Sequence, residues 1–190
     1  MSTTQEQTTI VNGVDLEALG ATIEVVKGDA SIASFTFRAA NQWLDGGRNR
    51  STIKDFYGAG QEQLRPAPLV HDADEPPVLL GTDTDANPVE YVLHALAGCL
   101  TTSLVYHAAA RGITVRRVES TFEGDLDLRG FLGLDDRVRN GYREVRVAMK
   151  VDVDGGQEQA EELVRLAQSR SPVYDIVTNG VPVSVTASVP

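Results

Sequence analysis

Alternation of apolar and polar residues predicts strands, because successive side chains of a strand point to opposite faces of a sheet. Four segments alternate in this way: residues 31–44, 113–128, 144–154 and 181–187. The turn Asp45-Gly46-Gly47 predicts a hairpin whose second strand runs from Asn49 to Phe56. Residues 57–87 are rich in glycine, proline and aspartate. A stretch of this kind is typical of short strands or of a functional loop.

Helices are predicted where apolar residues recur every three or four positions. This spacing occurs in residues 14–27 and 157–170, and a short helix is expected around residues 174–178. A further helix is predicted to begin after Asn87, with Asn87 as N-cap and Pro88 at the first helical position. Gly112 is expected to end it.

This helix is unusual because residues 91–110 contain no Asp, Glu, Lys or Arg. The run is long enough to span a membrane, but its histidines, threonines, serine and glycine make it only moderately apolar. We therefore interpret it as the buried central helix of a soluble protein, with no membrane as partner. Antiparallel strands and helices packed on one face indicate an α+β fold. Since one modest sheet covers only one side of such a helix, we expect a homodimer to cover the rest.

Composition excludes several functions. With 27 acidic and 17 basic residues the net charge is −10, which disfavours nucleic acid as a partner. One cysteine forms no internal disulfide, and three histidines without ligand spacing predict no metal site. No cofactor-binding motif is present in the sequence. The absence of a disulfide framework and of a signal peptide indicates a cytoplasmic location.

The single cysteine, Cys99, lies in the middle of the apolar helix. A buried cysteine at such a position is most often a small core residue. A reactive thiolate there would need a cation from elsewhere in the fold, and Arg38, Arg48 and Arg50 are the candidates. Glu90 has a structural interpretation too, because an acidic side chain in the first turn complements the helix dipole.

The segments NPVEYVLHALAGC and SPVYDIVTNGVPVSV, with the rest of the helix and the strand between them, resemble the OsmC/Ohr family. That name covers osmotically inducible protein C and organic hydroperoxide resistance proteins. The similarity extends over about residues 31–189. It implies an OsmC-like fold, in which antiparallel sheets from both chains wrap long central helices in an intertwined homodimer. We accordingly expect a flexible tail over residues 1–13 and a single OsmC-like domain over residues 14–190.

The resemblance also implies a site. Peroxidases of the family use two cysteines, an arginine and a glutamate. The peroxidatic cysteine corresponds to Cys99 and the arginine to Arg48 in Gly-Gly-Arg, with Arg50 as the alternative. Glu90 corresponds to the glutamate, one residue later than in the organic hydroperoxide branch. The second, resolving cysteine of the family corresponds to Ser171, which cannot form a disulfide.

These residues support more than one function. The first hypothesis is a one-cysteine thiol peroxidase that reduces organic hydroperoxides in oxidative stress defence, with an external thiol as reductant. The alternative is a non-catalytic protein that binds a small apolar ligand in the cleft at the dimer interface. A third is another thiol enzyme with His94 as base. Retention of Cys99 favours the first hypothesis, and the serine at position 171 favours the second.

Overall fold

The computed structural model describes residues 9–189. The strands are β1 (Ile10–Val11), β2 (Val14–Asp15), β3 (Ala40–Asp45), β4 (Arg48–Ile53), β5 (Phe56–Gly58), β6 (Gln61–Gln63), β7 (Leu69–Ala73), β8 (Val115–Asp125) and β9 (Glu144–Val153). The α-helices are α1 (Leu16–Gly28), α2 (Pro88–Ala109), α3 (Leu128–Phe131), α4 (Gly156–Arg170) and α5 (Pro172–Thr178). Short 3₁₀ helices cover Ala30–Ala33 and Pro77–Leu79. Mixed helices and antiparallel strands confirm the α+β class.

The described residues form two compact units. The first contains Asp15–Val92 with the segment that ends at Ile10, and the second contains Leu93–Pro190 with Val11–Val14. A single domain over residues 14–190 therefore stays a prediction. Most of the predicted flexible tail, residues 1–8, lies outside the described residues.

The first unit is built on the antiparallel sheet β3-β4-β7. The predicted hairpin is confirmed, and Gly46 takes a φ of 52° in its turn, a conformation that costs glycine little. The second strand of the hairpin ends at Ile53, three residues before the predicted end. Strand β7 lies on the other side of β4, with Asp72 opposite Arg50. This register places two oppositely charged side chains side by side.

The second unit packs α4 and the hairpin β8-β9 around one face of α2. Four of the five buried residues of α2 recur every four positions and form one stripe along the helix: Leu96, Leu100, Leu104 and Ala108. The fifth is Ala109. Leu163 and Ala167 of α4 are fully buried in the same cluster.

The sequence predicts that one chain covers only part of α2, and the single chain does leave part of the helix exposed. Val92 is 39% exposed and Tyr106 is 50% exposed. By length and composition alone α2 could also cross a membrane. The absence of a membrane partner therefore stays a prediction.

One predicted strand is longer than the structure has it, and another is wrong. Residues 31–44 form a strand only from Ala40 onward, because Asp29 instead caps a 3₁₀ turn through hydrogen bonds to Ser31. Residues 181–187 form no strand in the described structure, and Val183 and Val185 are 79% and 90% exposed. Alternation fits a strand only where a neighbouring strand supplies hydrogen bonds, and here the segment has no such neighbour.

Asp74 organises the loop between β7 and α2. Its carboxylate is 1% exposed and accepts hydrogen bonds from the backbone N–H groups of Glu75, Thr82 and Thr84. The hydroxyl groups of the two threonines donate to it as well. The loop closes tightly, since a Cβ on Gly81 would fall 1.8 Å from the carbonyl oxygen of Glu75. These bonds, chiefly that from Thr82, hold the pKa of Asp74 far below its ordinary value.

We predict that this carboxylate makes the fold sensitive to acid. Because the pKa of Asp74 is lower in the folded chain, its stabilisation is complete above about pH 4 and is lost as the pH falls towards the folded pKa. Asp74→Asn should lower the free energy of unfolding at pH 7 and flatten its fall below about pH 4. Urea unfolding at several pH values measures both effects. An equally steep acid loss in the variant would contradict this assignment.

Candidate functional site

Cys99 lies on the side of α2, next to the buried stripe but not in it. Its neighbour Leu100 is 2% exposed, whereas Cys99 itself is half-buried. Cys99 is therefore not one of the buried core residues of the described chain. A half-buried thiol is accessible to a small molecule, whereas a thiol buried in the core is not.

Arg48 and Arg50 project from β4. They are two residues apart in one strand, so they lie on the same face of the sheet. Arg50 donates two hydrogen bonds to Asp72, from Nε to Oδ1 and from Nη2 to Oδ2, both 2.6 Å long. These bonds hold the pKa of Asp72 below its ordinary value, and attraction to Arg48 adds to the effect. Asp72 in turn raises the pKa of Arg50.

Glu90 caps its own helix. Its Oε2 accepts a hydrogen bond from the backbone N–H of Asn87 at 2.8 Å. The side chain of Asn87 accepts one from the N–H of Glu90 at 2.9 Å. This reciprocal pair is a capping box, which satisfies N–H groups that the first turn of a helix leaves unpaired. It confirms Asn87 as the N-cap, and it gives Glu90 a structural role.

Ser171 is 2% exposed and joins two helices. Its backbone N–H donates to the carbonyl of Ala167 at the end of α4. Its Oγ accepts a hydrogen bond from the N–H of Tyr174 at 3.2 Å, which makes it the N-cap of α5. The position that corresponds to the resolving cysteine is therefore occupied by a helix cap.

The sequence-predicted residues divide between the two units. Arg48, Arg50 and Glu90 belong to the first unit, while Cys99 and Ser171 belong to the second. Sequence reasoning missed Asp72, the partner of Arg50. Asp72 is one of several aspartates in residues 57–87, so no motif distinguishes it in the sequence.

The second unit also contains a groove of about 650 Å³ between β9 and α4. Its apolar lining comes from Leu100, Val147, Met149, Val151, Ala160, Val164 and Tyr174. Polar side chains, among them Lys150 and Arg165, line it as well. This volume lies within the usual range for small-molecule sites, roughly 300–1,000 Å³.

The N-cap role of Ser171 is testable. Ser171→Ala removes the acceptor for the N–H of Tyr174 and should lower the free energy of unfolding by about 1 kcal/mol. Ser169→Ala is the matched control, since its exposed hydroxyl bonds only to the carbonyl of Leu166. The control should stay within about 0.5 kcal/mol of the parent in urea unfolding. Equal effects of the two variants would contradict the cap.

Comparison with known proteins identifies the family of this chain. The sequence model described as OsmC-like protein matches residues 81–186, more than half of the chain. No curated protein matches the sequence.

Solved structures share the fold. An OsmC-like protein from Mycoplasma pneumoniae is 14% identical with a TM-score of 0.57, over 76% of this chain and 89% of that one. An organic hydroperoxide resistance protein OsmC from Legionella pneumophila is 20% identical with a TM-score of 0.51, over 76% and 90%. An OsmC-like protein of unknown function from Vibrio cholerae is 14% identical with a TM-score of 0.52, over 74% and 92%. The family match over α2, β8, β9, α4 and α5, together with this shared fold, shows that the chain belongs to the OsmC-like protein family.

Proposed function

We propose that this OsmC-like protein is a thiol-dependent peroxidase that reduces organic hydroperoxides through Cys99. The observation that carries the proposal is the half-buried position of Cys99 on α2, outside the buried stripe of the helix. The fold shared with an organic hydroperoxide resistance protein of Legionella pneumophila supports the choice of substrate. The reducing cytoplasm is the proposed location, where a free thiol persists.

The reaction oxidises the thiolate by two electrons. The Cys99 sulfur attacks the distal oxygen of the hydroperoxide, so that an S–O bond forms as the O–O bond breaks. The leaving alkoxide takes up a proton and departs as an alcohol, and Cys99 is left as a sulfenic acid. An arginine of β4, either Arg48 or Arg50, would stabilise the thiolate and the charge that develops on the leaving oxygen.

Regeneration needs thiols from outside the chain. Ser171 has no sulfur, and its hydroxyl oxygen already accepts the N-cap hydrogen bond of α5. An external thiol would attack the sulfenic acid, releasing water and forming a mixed disulfide with Cys99. A second thiol would then attack the reductant's sulfur in this mixed disulfide. This step releases the Cys99 thiolate and forms the disulfide of the reductant.

Intact-mass spectrometry tests the proposal directly. One equivalent of cumene hydroperoxide, added in the presence of a sulfenic-acid trap, should convert the protein rapidly to the trapped adduct. Hydrogen peroxide should react much more slowly, because an apolar approach favours an organic peroxide. Cys99→Ser is the control and should form no adduct. A parent protein whose thiol stays free for many minutes in excess peroxide would refute the peroxidase.

The groove between β9 and α4 favours a second candidate, a non-catalytic protein that binds a small apolar ligand. Its lining combines apolar side chains with a smaller number of polar ones, as in sites for such ligands. The two candidates differ in their prediction for the thiol. A binding protein would leave Cys99 unreactive towards peroxide, while an apolar fluorescent dye would bind, and Val164→Glu in the groove would abolish that binding.

We propose further that the protein is a homodimer. The support is apolar surface that a single chain leaves open, including Tyr106 of α2 and the valines at positions 183, 185 and 189. Exposed apolar surface of this extent is typical of protein interfaces. A second copy would also offer a strand partner to the alternating segment 181–187.

Light scattering coupled to size exclusion measures the oligomeric state. We expect a mass of twice 20.5 kDa. Tyr106→Asp should shift the protein towards the monomer, because it places a charge on the exposed side of α2. Lys27→Asp introduces the same side chain on the exposed face of α1 and should leave the mass unchanged. A parent mass near 20.5 kDa would contradict the dimer.

A further inference from the structure

The chain contains three Asn-Gly dipeptides: Asn12-Gly13, Asn140-Gly141 and Asn179-Gly180. Asparagine is a chemically labile residue, and a following glycine makes it more so, because the backbone nitrogen of a residue without a Cβ is the least hindered. That nitrogen can attack the side-chain amide of the asparagine and release ammonia. All three dipeptides belong to the second unit. Their surroundings can therefore be compared within one compact body.

Two of the three asparagine side chains are held by hydrogen bonds. Asn12 donates from Nδ2 to the carbonyl of Ile113 at 2.9 Å, and its Oδ1 accepts from the N–H of Val115 at 2.8 Å. Asn179, which follows α5, donates from Nδ2 to Oδ1 of Asp175 at 2.9 Å. These bonds must break before the side-chain carbon can reach the next backbone nitrogen. The folded chain therefore protects both dipeptides.

The third asparagine, Asn140, is exposed in the loop between α3 and β9. Within residues 9–189, neither its side chain nor the backbone N–H of Gly141 has a hydrogen-bond partner. No folded contact has to break before the nitrogen of Gly141 attacks Asn140.

The chain is held on both sides of this dipeptide. Before it, the carbonyl oxygen of Arg139 lies 2.7 Å from the position that a Cβ would take on Gly130, so the two backbones are in close contact. After it, the N–H of Arg143 donates to the carbonyl of Asp125 at 2.8 Å. The unbonded state is thus confined to a short stretch of an otherwise folded loop.

A cation lies beside the attacking residue. The Nε of Arg139 is 3.9 Å from the position that a Cβ would take on Gly141. In the part of the chain that the structure describes, Arg139 has no ion-pair partner. Because the backbone nitrogen must lose its proton to attack, a nearby positive charge favours the reactive form. The same charge can pair with the carboxylate of the product.

We propose that Asn140 is a site of spontaneous deamidation in the folded protein, whereas Asn12 and Asn179 are protected. The nitrogen of Gly141 loses its proton to hydroxide and bonds to Cγ of Asn140. The bond from Cγ to Nδ2 then breaks, and Nδ2 leaves as ammonia with a proton from water. Water opens the resulting succinimide at either carbonyl, which gives aspartate or isoaspartate. No oxidation is involved, and the product carries one more negative charge than the parent. This modification is independent of the proposed peroxidase.

Tryptic mapping after timed incubation tests the inference. Trypsin cleaves after lysine and arginine, so the three asparagines fall in three separate peptides. The full-length protein is kept in mildly alkaline buffer and sampled over time, and a digest at time zero corrects for deamidation during digestion. We expect Asn140 to deamidate at least about tenfold faster than Asn12 or Asn179, because those two must first leave their hydrogen bonds.

The unfolded chain is the reference. In guanidinium chloride the three rates should agree within about threefold, because no folded contact then protects any of the dipeptides. Equal rates of the three asparagines in the folded protein would overturn the inference. So would an Asn140 that reacts much more slowly in the folded protein than in the unfolded chain.

Gly141→Ala tests the attacking nitrogen. The added methyl group fits, since its nearest neighbour is the side chain of Arg139 at 3.9 Å. It hinders the nitrogen and should slow deamidation of Asn140 about tenfold. Gly180→Ala is the matched control, because it is equally open and should leave the rate at Asn140 unchanged. An undiminished rate in Gly141→Ala would contradict the proposed attack.

Asn140→Asp supplies the product charge without the reaction. On anion exchange, the acidic species that accumulates in the aged parent should elute with this variant. The variant itself should form no such species at the parent's rate, because its labile amide is gone. An acidic species that forms as fast in Asn140→Asp as in the parent would place the modification at another residue and overturn the assignment.

Discussion

Burial of the apolar helix α2 is the constraint on which the rest of the structure depends. Residues 91–110 contain no Asp, Glu, Lys or Arg, so exposing this helix to water is unfavourable. One stripe, from Leu96 to Ala108, is covered by α4 and the β8-β9 hairpin. The opposite side, which includes Tyr106, stays exposed in the single chain. The need to cover that side is the physical basis for proposing a second copy.

The start of the same helix is fixed by polar contacts. Asn87 and Glu90 accept hydrogen bonds from each other's backbone N–H groups, which satisfies two of the donors that the first turn leaves unpaired. In the loop that precedes the helix, the carboxylate of Asp74 accepts hydrogen bonds from three backbone N–H groups. Without it these donors would lack this partner. Tyr91 then ties the first turn to the backbone of β7. The contact from Tyr91 sets the helix start relative to β7, the neighbour of the strand β4 that carries Arg48 and Arg50.

The chemistry proposed for the site follows from what the chain keeps and what it lacks. It keeps one thiol at a half-buried position and two arginines on one face of β4. It lacks a second thiol, and Ser171 instead caps α5. A sulfenic acid formed at Cys99 therefore has no partner within the chain. A peroxidase of this kind depends on external thiols and on the redox state of its surroundings.

The sequence by itself determined the helices α1, α2, α4 and α5, the β3-β4 hairpin, the long strands β8 and β9, and the family. These features follow from local periodicity, turn chemistry and caps, or from the motif around Cys99, and none of them needs a distant residue to be recognised. Tertiary structure decided the rest. Residues 181–187 alternate as a strand would, yet form none, since a strand needs hydrogen bonds from a neighbour. Strand register also puts Asp72 opposite Arg50, a pairing that no local pattern of the sequence indicates. Pairings between residues far apart in the chain depend on register and packing, which periodicity alone does not encode.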